Sequence, residues 1–256
     1  MATTPDALAS LRAFNRFELK YLVARNQIGD VRADLAARLQ TDPHSADGAY
    51  TVWSRYYDTT GLEFYWEKID GIRFRRKLRI RHYGLPSELH DDSPVYVEIK
   101  QRVNRVTQKR RLRLAYRAAR ALCDDHTLPS LSGHELSIGS EVLSLAAGLD
   151  LQPSAVVGYR RLAMIGGETD GGLRVTFDSH LRGRTTDLDL HAAVPTNPVL
   201  PRDMAIVEVK VNERVPYWLT DKIARHNMQL IRISKYCTSV EGKAPPGLRL
   251  RIKESA

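Results

Sequence analysis

The stretch Phe74–Tyr83, FRRKLRIRHY, alternates from Arg75 onward, with Arg75, Lys77, Arg79 and Arg81 on one parity and Leu78 and Ile80 between them. A strand turns successive side chains to opposite faces, so this pattern puts the cations on one side and the aliphatics on the other. Working outward, the same alternation recurs in Asn15–Val23, Pro94–Arg102, Gln108–Leu114, Leu173–Leu181 and Ala205–Asn212, several with a carboxylate in the charged row, and Ser154–Ile165 has the texture of a further strand. With Val52–Asp58 these give about eight strands and few helices between them, which predicts an antiparallel sheet in an α+β chain.

Helical spacing is confined to the connections. Ile28, Val31, Leu35 and Leu39 mark one helix over Ile28–Leu39, and Trp218–Leu230 is amphipathic. Between residues 115 and 151 Ala and Leu dominate, which predicts a helical insert packed outside the sheet. Thr41–Gly48 and Thr185–Arg202 read as loops, and residues 240–256 as a tail in which Leu248–Lys253 alternates once more. No repeat, low-complexity tract or linker divides the chain, so a single domain over residues 1–256 is expected.

The 256 residues are 43% hydrophobic and 27% charged, a balance that suits a globular protein with a real core. The net charge of +9 favours an anionic partner. Cys123 and Cys237 have no repeated spacing, so neither a zinc framework nor a disulfide scaffold is expected, and a reducing cytoplasm fits. The opening MATTPDALASLRAF does not read as a signal peptide. No window approaches the ~20 apolar residues of a transmembrane helix. A soluble cytoplasmic protein is expected, its membrane association limited to a membrane-protein partner.

A solvated exterior would carry Lys and Glu in scattered, interchangeable positions. Here arginine dominates, and the triplets Glu18-Leu19-Lys20, Glu98-Ile99-Lys100 and Glu208-Val209-Lys210 recur on separate predicted strands. A small closed barrel turns one face of every strand inward. If that face is the charged one, the result is a tunnel lined with guanidinium and ammonium groups, whose repulsion only an anion or neighbouring carboxylates relieve. Arginine's planar fork suits phosphate oxygens, and lysine acts as a point charge. A linear polyphosphate is the natural filling. A glutamate among these cations can hold a divalent metal against phosphates, since Mg²⁺ and Mn²⁺ prefer oxygen ligands. The rival reading makes Glu208 a structural salt-bridge partner and leaves Lys100 and Lys210 paired with cross-strand glutamates.

The chain resembles the VTC domain, the polyphosphate polymerase domain of the vacuolar transporter chaperone type within the triphosphate tunnel metalloenzymes. The motifs that carry the resemblance are E-x-K-Y at Glu18–Tyr21, LRIRHYG at Leu78–Gly84, VEIK at Val97–Lys100, YRR at Tyr159–Arg161, RVTFD at Arg174–Asp178, VEVK at Val207–Lys210 and SKY at Ser234–Tyr236. The resemblance implies a β-tunnel in which ATP, held with a divalent metal, Mn²⁺ first and Mg²⁺ second, donates its γ-phosphoryl group to a polyphosphate chain. It implies catalytic phosphate contacts from Arg79, Arg81, Lys100, Arg161, Arg174 and Lys235. Lys20, Lys109, Arg232, Ser234 and Lys210 would bind substrate. Glu208 would be the metal ligand, with Glu18 and Glu98 as further candidates.

One departure bears on the chemistry. Hydrolytic and cyclase branches of the superfamily open with E-x-E-x-K, whereas Arg16 stands at the first position here, in Arg16-Phe17-Glu18-Leu19-Lys20. A missing carboxylate favours the polymerase branch over a metal-dependent tripolyphosphatase or nucleoside triphosphatase. A non-catalytic polyphosphate-binding regulatory module is the remaining alternative. Nucleic acid is not expected as a partner, because the positions between the cations are aliphatic rather than aromatic. Asp178 and His180 continue the Arg174 row, the histidine with a structural role. Tyr159, Trp53, Trp66 and Trp218 read as packing residues.

Overall fold

The computed structural model describes residues 17–242 except 46, 47, 105, 193 and 213, and of residue 169 only the backbone. Arg16 and the alternation at Leu248–Lys253 therefore lie outside the described residues.

The strands are β1 (Phe17–Ala24), β2 (Leu39–Thr41), β3 (Tyr50–Asp58), β4 (Phe74–Tyr83), β5 (Pro94–Val103), β6 (Val106–Ala115), β7 (Gln152–Gly166), β8 (Arg174–Arg184), β9 (Asn197–Pro198), β10 (Met204–Val211) and β11 (Gln229–Ile231). All pair antiparallel in one 11-stranded sheet ordered β11-β1-β10-β8-β7-β3-β4-β5-β6, with β2 and β9 paired to β7 and β8 off that path. The expected closed barrel of about eight strands is thus corrected. The sheet is open, and the additional strands are two- and three-residue pieces too short to leave an alternation in the sequence.

The helices are α1 (Ile28–Leu35), α2 (Glu63–Ile69), α3 (Tyr116–Cys123), α4 (Gly133–Gly148), α5 (Tyr217–Arg225) and α6 (Lys235–Glu241). α3 and α4 form the expected helical insert. Their Tyr116, Ala119, Leu122, Val142 and Ala146 pack on Leu78, Ile80, Val97, Ile99 and Leu112, the aliphatic parity of β4 to β6. A second core sets Val31 and Leu35 of α1 and Leu219 and Ile223 of α5 against Val175, Phe177, Val207 and Val209. Each apolar strand face is therefore covered by helix, which leaves the charged parity as the concave face. No helix among the described residues is long and apolar enough to cross a membrane.

α2 was not anticipated, and its Trp66 is half-exposed rather than packed. The helices expected over Ile28–Leu39 and Trp218–Leu230 end early, at Leu35 and Arg225, and β2 and β11 take up Leu39 and Gln229–Ile231. Ile231–Tyr236 is divided: β11 ends at Ile231, and α6 begins at Lys235 with Ser234 as its N-cap, the Ser234 hydroxyl accepting from the Cys237 N–H. α6 fills one end of the concave face. Ile233, Tyr236 and Cys237 join Leu22, Val52, Tyr56, Val157, Leu181 and Ile206 in a third core. Buried Asp58 ties the arrangement together. It accepts from the backbone N–H of Phe64 and Tyr65 at the start of α2, and from the Tyr236 hydroxyl at 2.5 Å. Gly183 lets α6 approach β8, since a Cβ there would lie 2.4 Å from the Ser239 Oγ.

Candidate functional site

Two groups of charged side chains meet on the concave face. In the first, β1 and β10 pair Lys20 with Glu208 and Glu18 with Lys210 in register, while β7 and β8 pair Arg161 with Asp178. Lys235, at the start of α6, reaches down between them, 2.5 Å from Glu208 and 2.6 Å from Asp178. Arg161 chelates Asp178 through two bonds of 2.6 and 2.7 Å and also reaches Glu208 at 3.3 Å. Lys210 lies 3.0 Å from Glu208. Lys20 sits between two carboxylates, 3.3 Å from Glu18 and 3.6 Å from Glu208, and donates to the Ile233 carbonyl.

In the second group, Glu98 of β5 stands between Arg79 of β4 and Arg111 of β6. The three are locked together: Arg79 donates to one Glu98 oxygen at 2.6 and 2.8 Å, and Arg111 to the other at 2.7 Å. Arg81 and Lys109 complete the cage at 3.8 and 3.5 Å. Tyrosines fix the arginines from below. Arg79 donates to the Tyr56 hydroxyl at 2.8 Å and Arg81 to the Tyr159 hydroxyl at 3.2 Å. Lys77 donates to the Ser234 hydroxyl at 2.6 Å and lies over the Tyr236 ring.

The groups face each other because the sheet curls. β1 is one strand in from one edge and β5 one strand in from the other, yet Lys100 of β5 lies 2.9 Å from Glu18 of β1. A side-chain ion pair spans the gap that no backbone ladder closes.

Charge on this face is unbalanced. Glu18, Glu98, Asp178 and Glu208 are surrounded by Lys20, Lys77, Arg79, Arg81, Lys100, Lys109, Arg111, Arg161, Lys210 and Lys235. Burial pushes the Glu208 carboxyl up, but Lys235, Lys210, Lys20 and Arg161 outweigh it and hold the pKa well below the usual range. The Glu98 carboxyl is held down in the same way, burial being overcome by Arg79, Arg81, Lys109 and Arg111. Lys235 is raised despite burial, by Asp178 and Glu208. Lys77 and Lys210 behave oppositely: removal from water brings each down to about 8. For Lys210, Glu208 and Glu18 offset that removal only in part. At Lys77 the nearby Lys20 and Lys100 add to it. Both are cations whose charge an incoming anion would stabilise.

Of the residues expected from the sequence, Lys20, Arg79, Arg81, Lys100, Lys109, Arg161, Lys210, Ser234, Lys235, Glu18, Glu98 and Glu208 meet on this face. Arg174 stands at its rim, turned to Asp42 at 2.8 Å. Arg232 is exposed, with no ion-pair partner among the described residues. Lys77, Arg111 and Asp178 join the site, and Tyr159 supports it instead of merely packing. The signal for Lys77 and Arg111 was their parity in rows already read as charged. Asp178 follows Arg161 only once β7 and β8 are paired. His180 leaves the row: its φ is 52° beside a register shift at Gly158/Arg160, and the exposed ring contacts Arg25 instead.

Among the described residues no three or more Asp, Glu, His or Cys side chains converge as a metal cage. What the chain offers is the pair Glu18 and Glu208, separated by the Lys20 ammonium. Magnesium-like ions commonly take one or two carboxylates and draw their other ligands from substrate phosphates and water. The donor set fits a cation that arrives with phosphates. Glu98, which like Glu208 has cations on both oxygens, shares none of them with a second carboxylate among the described residues and fits as an anchor for Arg79 and Arg111.

Comparison with solved structures finds the same fold at low identity. A putative adenylate cyclase from Bacillus halodurans superposes with a TM-score of 0.50 at 12% identity, over 86% of this chain and 95% of that one. HpAC1 from Hippeastrum, a putative adenylyl cyclase described as having a dominant triphosphatase activity, gives 0.50 at 14% identity, over 90% and 98%. No curated protein matches the chain. The family model of the VTC domain matches residues 15–242, the span that contributes every side chain of the concave site. With nearly all of its length inside that match, this chain belongs to the VTC domain family.

Proposed function

We propose that this protein is an ATP-dependent polyphosphate polymerase, transferring the γ-phosphoryl group of ATP to a polyphosphate chain on the concave face. The observation that carries the reading is the convergence there of Arg79, Arg81, Lys100, Arg161, Lys210 and Lys235 around too few carboxylates to balance them. Phosphoryl transfer needs in-line placement and charge neutralisation more than it needs a covalent nucleophile. Arg79 and Arg81, their forks set by Glu98, Tyr56 and Tyr159, would orient phosphate oxygens. Lys235 and Arg161, braced by Asp178, would take up charge developing on the leaving ADP. Lys20, Lys100 and Lys210 would hold the acceptor. The terminal phosphate of the acceptor is already anionic, so no general base is required. Glu208, with Glu18, would hold a divalent metal, Mn²⁺ or Mg²⁺, which when bound adds further neutralisation of the phosphates.

One observation favours a second reading, a polyphosphate-binding module without turnover: Glu208 already accepts from Lys235, Lys210 and Arg161. The triphosphatase activity described for the Hippeastrum structure keeps a hydrolase in view. Incubation with ATP and Mn²⁺, followed by gel separation of the products, distinguishes these. Long phosphate chains are expected. Free phosphate would favour a hydrolase, and tight polyphosphate binding without ATP consumption would favour the module.

A further inference from the structure

The cross-strand pairs of β4 and β5 change character along the strands. Arg79 stands opposite Glu98, but toward the β5–β6 turn the next two pairs on the same face are Lys77 opposite Lys100 and Arg75 opposite Arg102. Like charges directly opposite destabilise a sheet. Lys100 finds relief in Glu18 and Lys77 in the Ser234 hydroxyl. Arg75 and Arg102 have no ion-pair partner among the described residues, and Arg102 reaches only the Asn104 carbonyl. Lys68 lies on the turn of α2 that the hydrogen bond from the Arg76 N–H to Glu67 seats on β4. Burial lowers its pKa, and Arg75 and Arg102 lower it further. Arg75 is lowered in turn, by burial and by Arg102. Glu67, whose carboxylate accepts from the Arg76 backbone N–H at 3.0 Å, favours the Arg75 charge but does not outweigh burial and Arg102. Three cations from three elements thus lie beside the pocket with Glu67 as the one carboxylate that acts on Arg75, and none of the three has an ion-pair partner among the described residues, one rung beyond Lys77 and Lys100. Successive rungs on one face of a strand are about 6.7 Å apart.

We propose that Lys68, Arg75 and Arg102 form an anion-binding collar that continues the cationic pocket and grips the part of a polyphosphate chain lying outside it. The collar rests on the reading of the pocket as a phosphate site. Its own consequence is length dependence: a short phosphate chain fills the pocket, and only a longer one reaches the collar. A polymerase gains from this, because the lengthening product stays attached between transfers.

Calorimetric titration of the full chain with tripolyphosphate and with linear polyphosphate some tens of units long tests it. The unmodified protein should bind the long chain more tightly. The Lys68→Ala/Arg75→Ala/Arg102→Ala variant should lose about tenfold in affinity for the long chain, the sum expected of a few exposed charge pairs. Its tripolyphosphate affinity should stay within about twofold. The charge-conserving Lys68→Arg/Arg75→Lys/Arg102→Lys variant should retain the long-chain affinity. Equal affinity for both lengths in the unmodified protein, or an alanine variant that still prefers the long chain, would overturn the collar while leaving the pocket intact. Single-stranded RNA bound as tightly as long polyphosphate, and lost in the alanine variant, would reassign the collar to nucleic acid. Failure of tripolyphosphate to bind at all would overturn the pocket reading and the collar with it.

Discussion

On the wall built by β1, β10, β8 and α6, each deeply buried cation touches a carboxylate: Lys235 bridges Glu208 and Asp178, and Arg161 chelates Asp178. On the wall built by β4, β5 and β6, Glu98 is shared among Arg79, Arg81, Lys109 and Arg111, and the latter two side chains are 47% and 34% exposed. The first wall is a nearly neutral network, deepest at Lys235, Arg161, Asp178 and Glu208, whose charges are paired with no ligand. The second is a cationic surface organised by one acid and open to an anion. On the proposed function the two walls would divide the work: Lys235 and Arg161 would meet the charge developing in transfer, and the more open Lys109 and Arg111 would add affinity.

Exchanging one acid on each wall should separate the roles and give the largest effects. Removing one partner of a buried charge network costs about 3 kcal/mol or more, because the remaining charges are left uncompensated. Both Glu208→Gln and Glu98→Gln should therefore lower the thermal midpoint, and saturating tripolyphosphate should restore much of the loss in each. Turnover with ATP and Mn²⁺ should divide them. Glu208→Gln should fall more than about a hundredfold, the scale of losing a group aimed at transition-state charge. Its polyphosphate affinity should be largely kept. Glu98→Gln should keep measurable turnover. Normal ATP consumption by Glu208→Gln would remove the metal assignment and leave both walls with the same purpose.

A smaller effect tests whether α6 positions the buried wall. A methyl at Gly183 would meet the Ser239 side chain at 2.4 to 2.8 Å, so Gly183→Ala must push α6 outward and carry Ser234 and Lys235 with it. Overpacking of this kind costs about 1–3 kcal/mol. Turnover should fall further than that loss of stability explains, with affinity for long polyphosphate little changed. Adding Ser239→Gly should restore both quantities. A variant with unaltered turnover would mean that Lys235 does not depend on the seating of the helix.

α6 is also where the sequence was least readable. In Ile231–Ser234 the apolar and polar residues alternate as they would in a strand, and only Ser234, a good N-cap residue, hints at a helix start. The central strands were legible because each alternates over eight or more residues, which fixes its face before any partner is known. Local pattern does not say which strands lie at the edges or whether the edges join, and the closed barrel was wrong for that reason. The proximity of Lys100 to Glu18 depends on the curl of the entire sheet. Asp178 was read in the Arg174 row but not as a site residue, because its partner Arg161 is set by the pairing of β7 with β8. A backbone φ of 52° at His180 breaks that row, and no residue nearby announces the bulge.

The mildest expected effect is a titration. Lys77 on β4 and Lys210 on β10 have pKa values brought down to about 8, whereas Lys235 is raised and stays charged throughout. Between about pH 8 and the ordinary lysine value near 10.5, the unfolded chain binds more protons at Lys77 and Lys210 than the folded one does, so their contribution makes folding stability rise with pH across that window. Bound polyphosphate should reverse the sign, because an anion beside these ammonium groups lifts their pKa values and is bound less tightly as they deprotonate. Tripolyphosphate affinity should accordingly decline a few-fold between about pH 7 and pH 9, with proton uptake on binding at the upper end. Lys77→Met should remove part of that slope while leaving the Lys210 part. Calorimetry in buffers of different ionisation enthalpy reads the proton count directly. Binding without proton uptake at the upper end of the range would mean that these ammonium groups do not meet the phosphates, and that the anion rests on the arginines alone.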